Sequence, residues 1–234
     1  MTNPMDECVR LQTRRQLLRR GAQVDPAGVP SWAKPIACSL SRGHSTIVER
    51  LVQVVPHLRM SRSYTSRAAR AGEVDGVDYN FVSRSTFEAM IARDEFLEWA
   101  DVFGNYYGTH QSELDRASAD GFDLILDIDV KGARQLKERI PGAVSIFILP
   151  PSREVLEQRL RSRSQDAEEV IQRRLSEAAE EIRNYSQYDY VLVNHEVQAS
   201  VDNLVAIVSA NRSRRHWMEQ QIRPILETFE DGRN

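Results

Sequence analysis

The chain has 234 residues, 41% of them hydrophobic and 28% charged, with a formal net charge of −3. That is enough apolar material for one globular unit with insertions, and it argues against a general nucleic-acid binder, which is usually basic. No apolar run approaches the roughly 18 residues that span a membrane, no signal-peptide core is visible, and Cys8 and Cys38 form neither a disulfide framework nor a metal-ligand pattern. The expectation is a cytoplasmic protein with no metal site of its own and no nucleic-acid or membrane partner; composition leaves the oligomeric state open.

Residues 1–33 differ from the rest. LQTRRQLLRRG is basic and DPAGVPSWAKP is rich in Pro and Gly, which predicts a disordered extension. Residues 35–41 read as a short buried strand leading into a turn. Residues 45–55 carry Ile47, Leu51, Val54 and Val55 at helical spacing. Residues 63–81, SYTSRAARAGEVDGVDYNF, set Arg67 and Arg70 three apart beside Ser63, Tyr64, Thr65 and Ser66, with Tyr79 following. Forked guanidiniums next to hydroxyls are what a phosphate monoester requires. Taken alone, the stretch fits a solvated polar loop equally well.

A short helix is predicted from residue 85, with Phe87, Met90 and Ile91 on one face, then extended segments and a turn through FLEWADVFGNYYGT, then a helix over 111–119. DLILDIDV (123–130) is nearly continuously apolar and predicts a strand buried on both faces. A helix follows over 132–139, then a second buried strand over 143–150. Ser152 caps a helix reaching 163. A longer helix spans 166–185 with Val170, Ile171, Leu175, Ala178, Ala179 and Ile182 in a stripe. YDYVLVN (188–194) reads as a third buried strand, residues 197–217 as a helix, and residues 221–234 as a polar tail.

Buried strands alternating with helices imply an α/β protein whose parallel sheet is flanked by helices. Ligands of such sheets sit beyond the carboxyl ends of the strands. Asp127, Asp129, Pro150 and Asn194 fall at those ends. The loop after the first strand, CSLSRGHST (38–46), half-matches the phosphate-cradling Gly-x-x-x-x-Gly-Lys-Ser/Thr pattern. Gly43, Ser45 and Thr46 fit it; Cys38 and His44 do not. A strand–loop–helix without a nucleotide role accounts for that half-match as well.

The ordered set is more specific than its parts. It runs Ser63-x-x-x-Arg67-x-x-Arg70-x-Gly-Glu-Val-Asp-Gly-x-x-Tyr79, Glu95-Phe-Leu-Glu98-Trp-Ala, Gly104-Asn-Tyr-Tyr107-Gly-Thr109, Leu126-Asp-Ile-Asp129-Val-Lys-Gly-Ala133, Ile146-Phe-Ile-Leu-Pro-Pro-Ser152, Arg159-Leu-x-x-Arg163 and Ile171-x-x-Arg174-Leu. Residues 35–208 thereby resemble the guanylate kinase family, P-loop nucleoside-monophosphate kinases that phosphorylate GMP. The resemblance implies a kinase-like domain over 34–220, with a GMP-binding region near 64–118 and a lid near 160–175. It implies that Arg67, Arg70, Tyr79 and Tyr107 hold the GMP phosphate and that Ser63, Glu98, Thr109 and Asp129 read guanine. It implies ATP with Mg²⁺ as the phosphoryl donor, held by Gly43, His44, Ser45, Thr46 and Asn194. Arg159, Arg163 and Arg174, together with His44, take the catalytic positions. Asp127 has two readings, as a partner of the Mg²⁺–water shell and as a plain strand end.

The departures lie in the donor half. Cys38, Ser41 and His44 stand where that family carries two glycines and a lysine, Ser162 and Ser164 replace glycines flanking Arg163, and His195 stands in place of Asp. A kinase slowed by its altered loop, or a non-catalytic module that binds GMP or a phosphopeptide, are both compatible with this pattern. Agreement with the family starts abruptly at Ser45, as it would after a shift of reading frame upstream. A Gly-x-x-x-x-Gly-Lys-Ser encoded in another frame of the gene would reveal such a shift.

Overall fold

The computed structural model describes residues 35–40, 45–163 and 167–230. In chain order these form β1 (Pro35–Leu40), α1 (Ser45–Val54), β2 (Leu58–Met60), β3 (Tyr64–Thr65), β4 (Asn80–Phe81) and α2 (Arg84–Ala92). Then come β5 (Phe96–Val102), β6 (Asn105–His110), α3 (Gln111–Asp120), β7 (Asp123–Ile128), α4 (Val130–Arg139) and β8 (Val144–Leu149). The remainder is α5 (Arg153–Arg163), α6 (Glu168–Ile182), β9 (Tyr190–Val193), α7 (Val197–Arg212) and α8 (Arg215–Glu230).

Among the described residues, five strands pair in parallel in the order β2-β7-β1-β8-β9. Alternation along β1 sends its side chains to two different cores. Ile36 and Cys38 join Ile125, Ile146, Ile148 and Leu192 under α1 and α7, whereas Ala37 joins Leu124, Leu126 and Ile128 under α3 and α4. Both faces of β7 are therefore covered, which is why DLILDI is apolar at consecutive positions. The chain crosses from one side of β1 to the other between β7 and β8, so the strand order reverses beside β1. Crevices at such reversals are the usual ligand sites of open parallel sheets. This is the expected fold class, a P-loop nucleoside-monophosphate kinase architecture.

Between β2 and β7 the chain leaves this sheet and builds a second one in the order β4-β3-β6-β5. Its core is Phe87, Met90 and Phe96, with Phe87 stacked on Phe96 at 4.4 Å between ring centres. Helices α5 and α6 form a separate hairpin closed by Leu156, Leu160, Ile171, Leu175 and Ala178. The predicted extension over 1–33 and the loop at 41–44 lie outside the described residues.

Three expectations change. The strand over 188–194 is a sheet edge, not a doubly buried strand: Leu192 is buried, but Val191 and Val193 are each 46% exposed, and among the described residues no strand pairs beyond β9. Ala179 in the α6 stripe is exposed. The helix predicted over 197–217 ends at Ser213, a second one starts at Arg215, and α8 continues through Glu230 where a polar tail was expected. Its exposed face carries Ile222, Ile225, Leu226 and Phe229. No described helix is long and apolar enough to cross a membrane.

The end of α7 is pinned to the start of β7. Arg212 Nε donates to buried Asp123 Oδ2 at 2.8 Å, and its Nη2 donates to the Pro56 and His57 carbonyls at 2.8 and 3.1 Å. Replacing Arg212 with Met strands a buried carboxylate. Arg212 is partly exposed, so a loss of about 1–3 kcal/mol is expected. Urea unfolding of R212M checks it; an unchanged midpoint contradicts the pairing.

Candidate functional site

The second sheet and the loops around it carry most of the acceptor-side candidates, and a tight turn sets its geometry. Phe103 and Gly104 join β5 to β6 with positive φ of 55° and 77°. Two successive left-handed residues make the turn whose twist matches a hairpin, and glycine supplies one of them without strain. The Gly104 amide donates to Asp101 Oδ1 at 2.7 Å. A register irregularity between Phe96 and Glu98 then sets Glu98 opposite Thr109. Gln135 of α4 clamps this hairpin to the main sheet: its amide nitrogen donates to the Trp99 carbonyl at 2.8 Å and its oxygen accepts from the Trp99 amide at 3.2 Å.

At that junction two carboxylates meet. Asp129 caps α4, Oδ1 accepting from the Gly132 amide at 2.8 Å. Glu98 is 4% exposed, and its Oε2 lies close to the Gly132 backbone. Burial pushes the Glu98 carboxyl up to about 7; the Thr109 hydroxyl and amide pull it down, and the Asp129 charge raises it further. Thr109 stands near enough to favour the charged form, yet neither Glu98 Oε1 nor Thr109 Oγ1 has a partner at hydrogen-bond geometry. Two buried oxygens on facing residues of β5 and β6 are thus left without a partner, which is rare in a protein interior. Ser63 is half-buried nearby in sequence, its carbonyl accepting from the Asn80 amide at 2.9 Å.

Arg67, Tyr79 and Tyr107 form a second cluster. Arg67 Nε donates to Tyr107 Oη at 3.2 Å, and its guanidinium lies 5.4 Å from the centre of the Tyr79 ring. The Tyr79 and Tyr107 rings meet edge to face at 6.1 Å. Burial raises the Tyr79 hydroxyl's pKa. The expected phosphate clamp at Arg67 has a partner of its own: Nη1 and Nη2 donate to the two Glu73 oxygens at 2.8 and 2.9 Å. Those two bonds and the Arg70 amide, which reaches Glu73 at 2.7 Å, hold the Glu73 carboxyl down to about 2. Arg67 therefore offers few unused donors until Glu73 moves, whereas the Arg70 side chain is exposed.

The carboxyl edge of the main sheet carries the donor-side candidates. Gly43 and His44 lie outside the described residues; Ser45 opens α1 and Thr46 is half-buried in its first turn. Cys38 is not a loop residue. It is fully buried mid-strand, paired with Asp127 on one side and Ile146 on the other, and burial keeps its thiol well above its ordinary range. Burial, with Glu49 nearby, pushes the half-buried Asp127 up to about 6. Arg159 Nη2 donates to the carbonyls of Asn194 and His195 at 3.0 and 3.2 Å. Asn194 is buried, with Ser200 Oγ donating to its Oδ1 at 3.0 Å. Arg163 ends α5 and Arg174 lies half-buried in α6. The α5–α6 hairpin touches the second sheet directly, the Arg173 guanidinium lying 4.1 Å from the centre of the Phe103 ring.

Three residues were not singled out from the sequence. Glu73 sits in a Gly-Glu-Val-Asp-Gly run within the stretch that fits a polar loop, and its pairing with Arg67 spans six residues with no periodicity to signal it. Gln135 lies on a helix where its contact across to β5 has no local trace. Gly132 did leave a signal, a glycine within a helical turn, which costs roughly 1 kcal/mol against alanine.

The family pattern described as guanylate kinase matches residues 35–211. The chain is 46% identical over 197 residues to a guanylate kinase of Geobacter metallireducens, covering 84% of this chain and 96% of that one. It is 50% identical over 200 residues to a guanylate kinase of Koribacter versatilis, covering 83% and 86% of the two chains. A crystal structure of guanylate kinase from Anaplasma phagocytophilum superposes with a TM-score of 0.67 at 32% identity, covering 83% of this chain and 97% of that one.

The Glu98 carboxyl makes stability depend on pH. Its folded-state value near 7 lies above the ordinary 4.5, so it favours folding at low pH and that contribution is lost as pH rises through about 7. Glu98→Gln removes the dependence. The E98Q variant is expected to match the parent at pH 4, below the ordinary value, and to exceed it by about 1–3 kcal/mol at pH 8. Denaturant titrations at the two pH values measure the gap; a gap that does not widen rules out a desolvated carboxylate.

Proposed function

Because the chain belongs to the guanylate kinase family, we propose that it transfers the γ-phosphoryl group of ATP to GMP, giving GDP and ADP, and that its altered donor loop makes this transfer slow. The observation that carries the acceptor half is a pair of clusters: Glu98 and Thr109 of the small sheet with Asp129 at the α4 cap, and Arg67 and Tyr79 with Tyr107 of the same sheet. Guanine presents two adjacent donors, N1–H and the exocyclic amine, to a carboxylate; adenine presents no such pair. Unsatisfied Glu98 and Thr109 oxygens support a site that a base of that pattern completes, and such sites reject the wrong base because their polar groups stay unpaired. Ser63 belongs to the same reading.

In this reading the GMP phosphate lies against Tyr79, Tyr107 and Arg70 and takes over the Arg67 donors from Glu73. A phosphate oxygen attacks the γ-phosphorus as the bond to the β-phosphate oxygen breaks, and no enzyme nucleophile is needed. The protein's part is positioning and charge. Arg163 and Arg174 bring positive charge on the lid, and Arg159 fixes the Asn194 turn against α5. The Phe103–Arg173 contact gives lid and acceptor sheet a direct meeting point, and closure there excludes water. When bound with ATP, Mg²⁺ neutralises phosphate charge. Asp127, whose buried carboxyl is driven toward its neutral form without a cation, fits the role of partner to that ion's waters.

His44 supplies only partial charge at neutral pH where lysine carries a full one, and Ser41 lacks the freedom of glycine. Loss of one such electrostatic group lowers turnover by about 10²–10³-fold. Steady-state GDP formation by the parent is expected to lie at least about a hundredfold below that of an S41G/H44K variant. A parent turnover in the usual range of about 1–100 s⁻¹ would overturn the impairment. GMP binding without ATP binding in either protein would favour a nucleotide-binding module instead. Arg70→Met is expected to weaken GMP about tenfold or more, by loss of a charge-assisted contact, and to leave guanosine affinity unchanged. Calorimetry with both ligands checks this, and equal losses would remove Arg70 from the phosphate.

A further inference from the structure

Gly132 occupies the first turn of α4, three residues after its Asp129 cap. Glycine is poor there on helix propensity, and its backbone does not need the left-handed φ that usually explains a glycine. Space explains it. A Cβ at this position would lie 2.5 Å from Glu98 Oε2, 3.3 Å from Glu98 Cδ and 3.3 Å from Asp129 Oδ1. The nearest atoms are all carboxylate atoms of the candidate site, while the neighbours Ala133 and Leu136 serve the apolar core. Packing of α4 on the sheet therefore does not require glycine at 132; the reach of Glu98 does.

We propose that Gly132 is a specificity-positioning residue: by lacking a Cβ it lets the Glu98 carboxylate enter the first turn of α4 beside Asp129, where the two together can face a guanine. The proposal rests on the guanine-reading role proposed above. Gly132 touches no ligand in this account and acts only through Glu98.

The consequence is a non-additive pair of substitutions. Alanine at 132 pushes the carboxylate out of place. Once Glu98→Asp has withdrawn that carboxylate by one methylene, alanine has nothing left to push. The full chain and its G132A, E98D and G132A/E98D variants are titrated with GMP and with AMP, which keeps the phosphate and lacks the guanine donors. G132A is expected to weaken GMP by about tenfold or more, the scale of lost charge-assisted hydrogen bonds. AMP affinity should stay within about twofold. In the E98D background, G132A should change GMP affinity by no more than about twofold, the spread of independent sites being about that size. Where turnover is measurable, KM rises and kcat holds.

Equal losses of GMP and AMP, or the same loss in both backgrounds, would overturn the positioning role while leaving guanine reading intact. A parent protein that does not prefer GMP to AMP overturns guanine reading itself, and this proposal with it. Should G132A fail to fold, the double variant decides: restored folding supports the clash with Glu98, and continued failure contradicts it.

Discussion

A parallel strand has no solvent-facing side once helices cover both faces of its sheet, and β7 carries that constraint for the whole molecule. Leu124, Leu126 and Ile128 face α3 and α4, and Ile125 faces α1 and α7. The polar side chains of this strand are therefore confined to its ends. Asp123 sits at the start and is neutralised by Arg212, and Asp127 and Asp129 sit at the finish. Chemistry is confined to the carboxyl edge because the interior has no room for an unpaired charge.

The second sheet gains its purpose from where it docks. Gln135 fixes the Trp99 backbone to α4, which carries Glu98 from the hairpin to the cap of a helix rooted in the main sheet. Burying that carboxylate beside a second one is unfavourable for the ligand-free protein, and the raised Glu98 value expresses the cost. Binding sites often hold strain of this kind, because a ligand that supplies the missing donors gains what the empty site lacks. The Arg67–Glu73 pair is the opposite arrangement: its donors and acceptors already satisfy one another.

In the proposed reading, holding a nucleotide and transferring a phosphoryl group fall to different residues. Glu98, Tyr107 and Thr109 stand on β5 and β6, Asp129 caps α4, and Arg67 and Tyr79 flank β3 and β4. In the proposed reading the donor half would depend on backbone amides and a fixed positive charge, where this sequence carries Ser41 and His44. Cys38 shows the difference: a buried thiol in mid-strand supports β1 but offers no flexible turn toward a phosphate.

Some of this was legible in the residues alone. DLILDI and VSIFIL announce strands buried on both faces by their continuous apolar runs, and STIVERLVQV announces a helix by its spacing, because covering a sheet leaves periodic marks. The same rule misled at Tyr190–Val193, where an apolar run lies at a sheet edge, since composition does not say which strand is outermost. The motif order placed the chain in its family, and with it the roles expected of Arg67, Glu98 and Asp129. Only the tertiary structure decided that Glu73 holds Arg67, that Gln135 joins the two sheets, and that Gly132 yields its space to Glu98. Those are contacts between segments up to 36 residues apart, and nothing in local spacing or propensity records a distance that arises only when the chain folds back on itself.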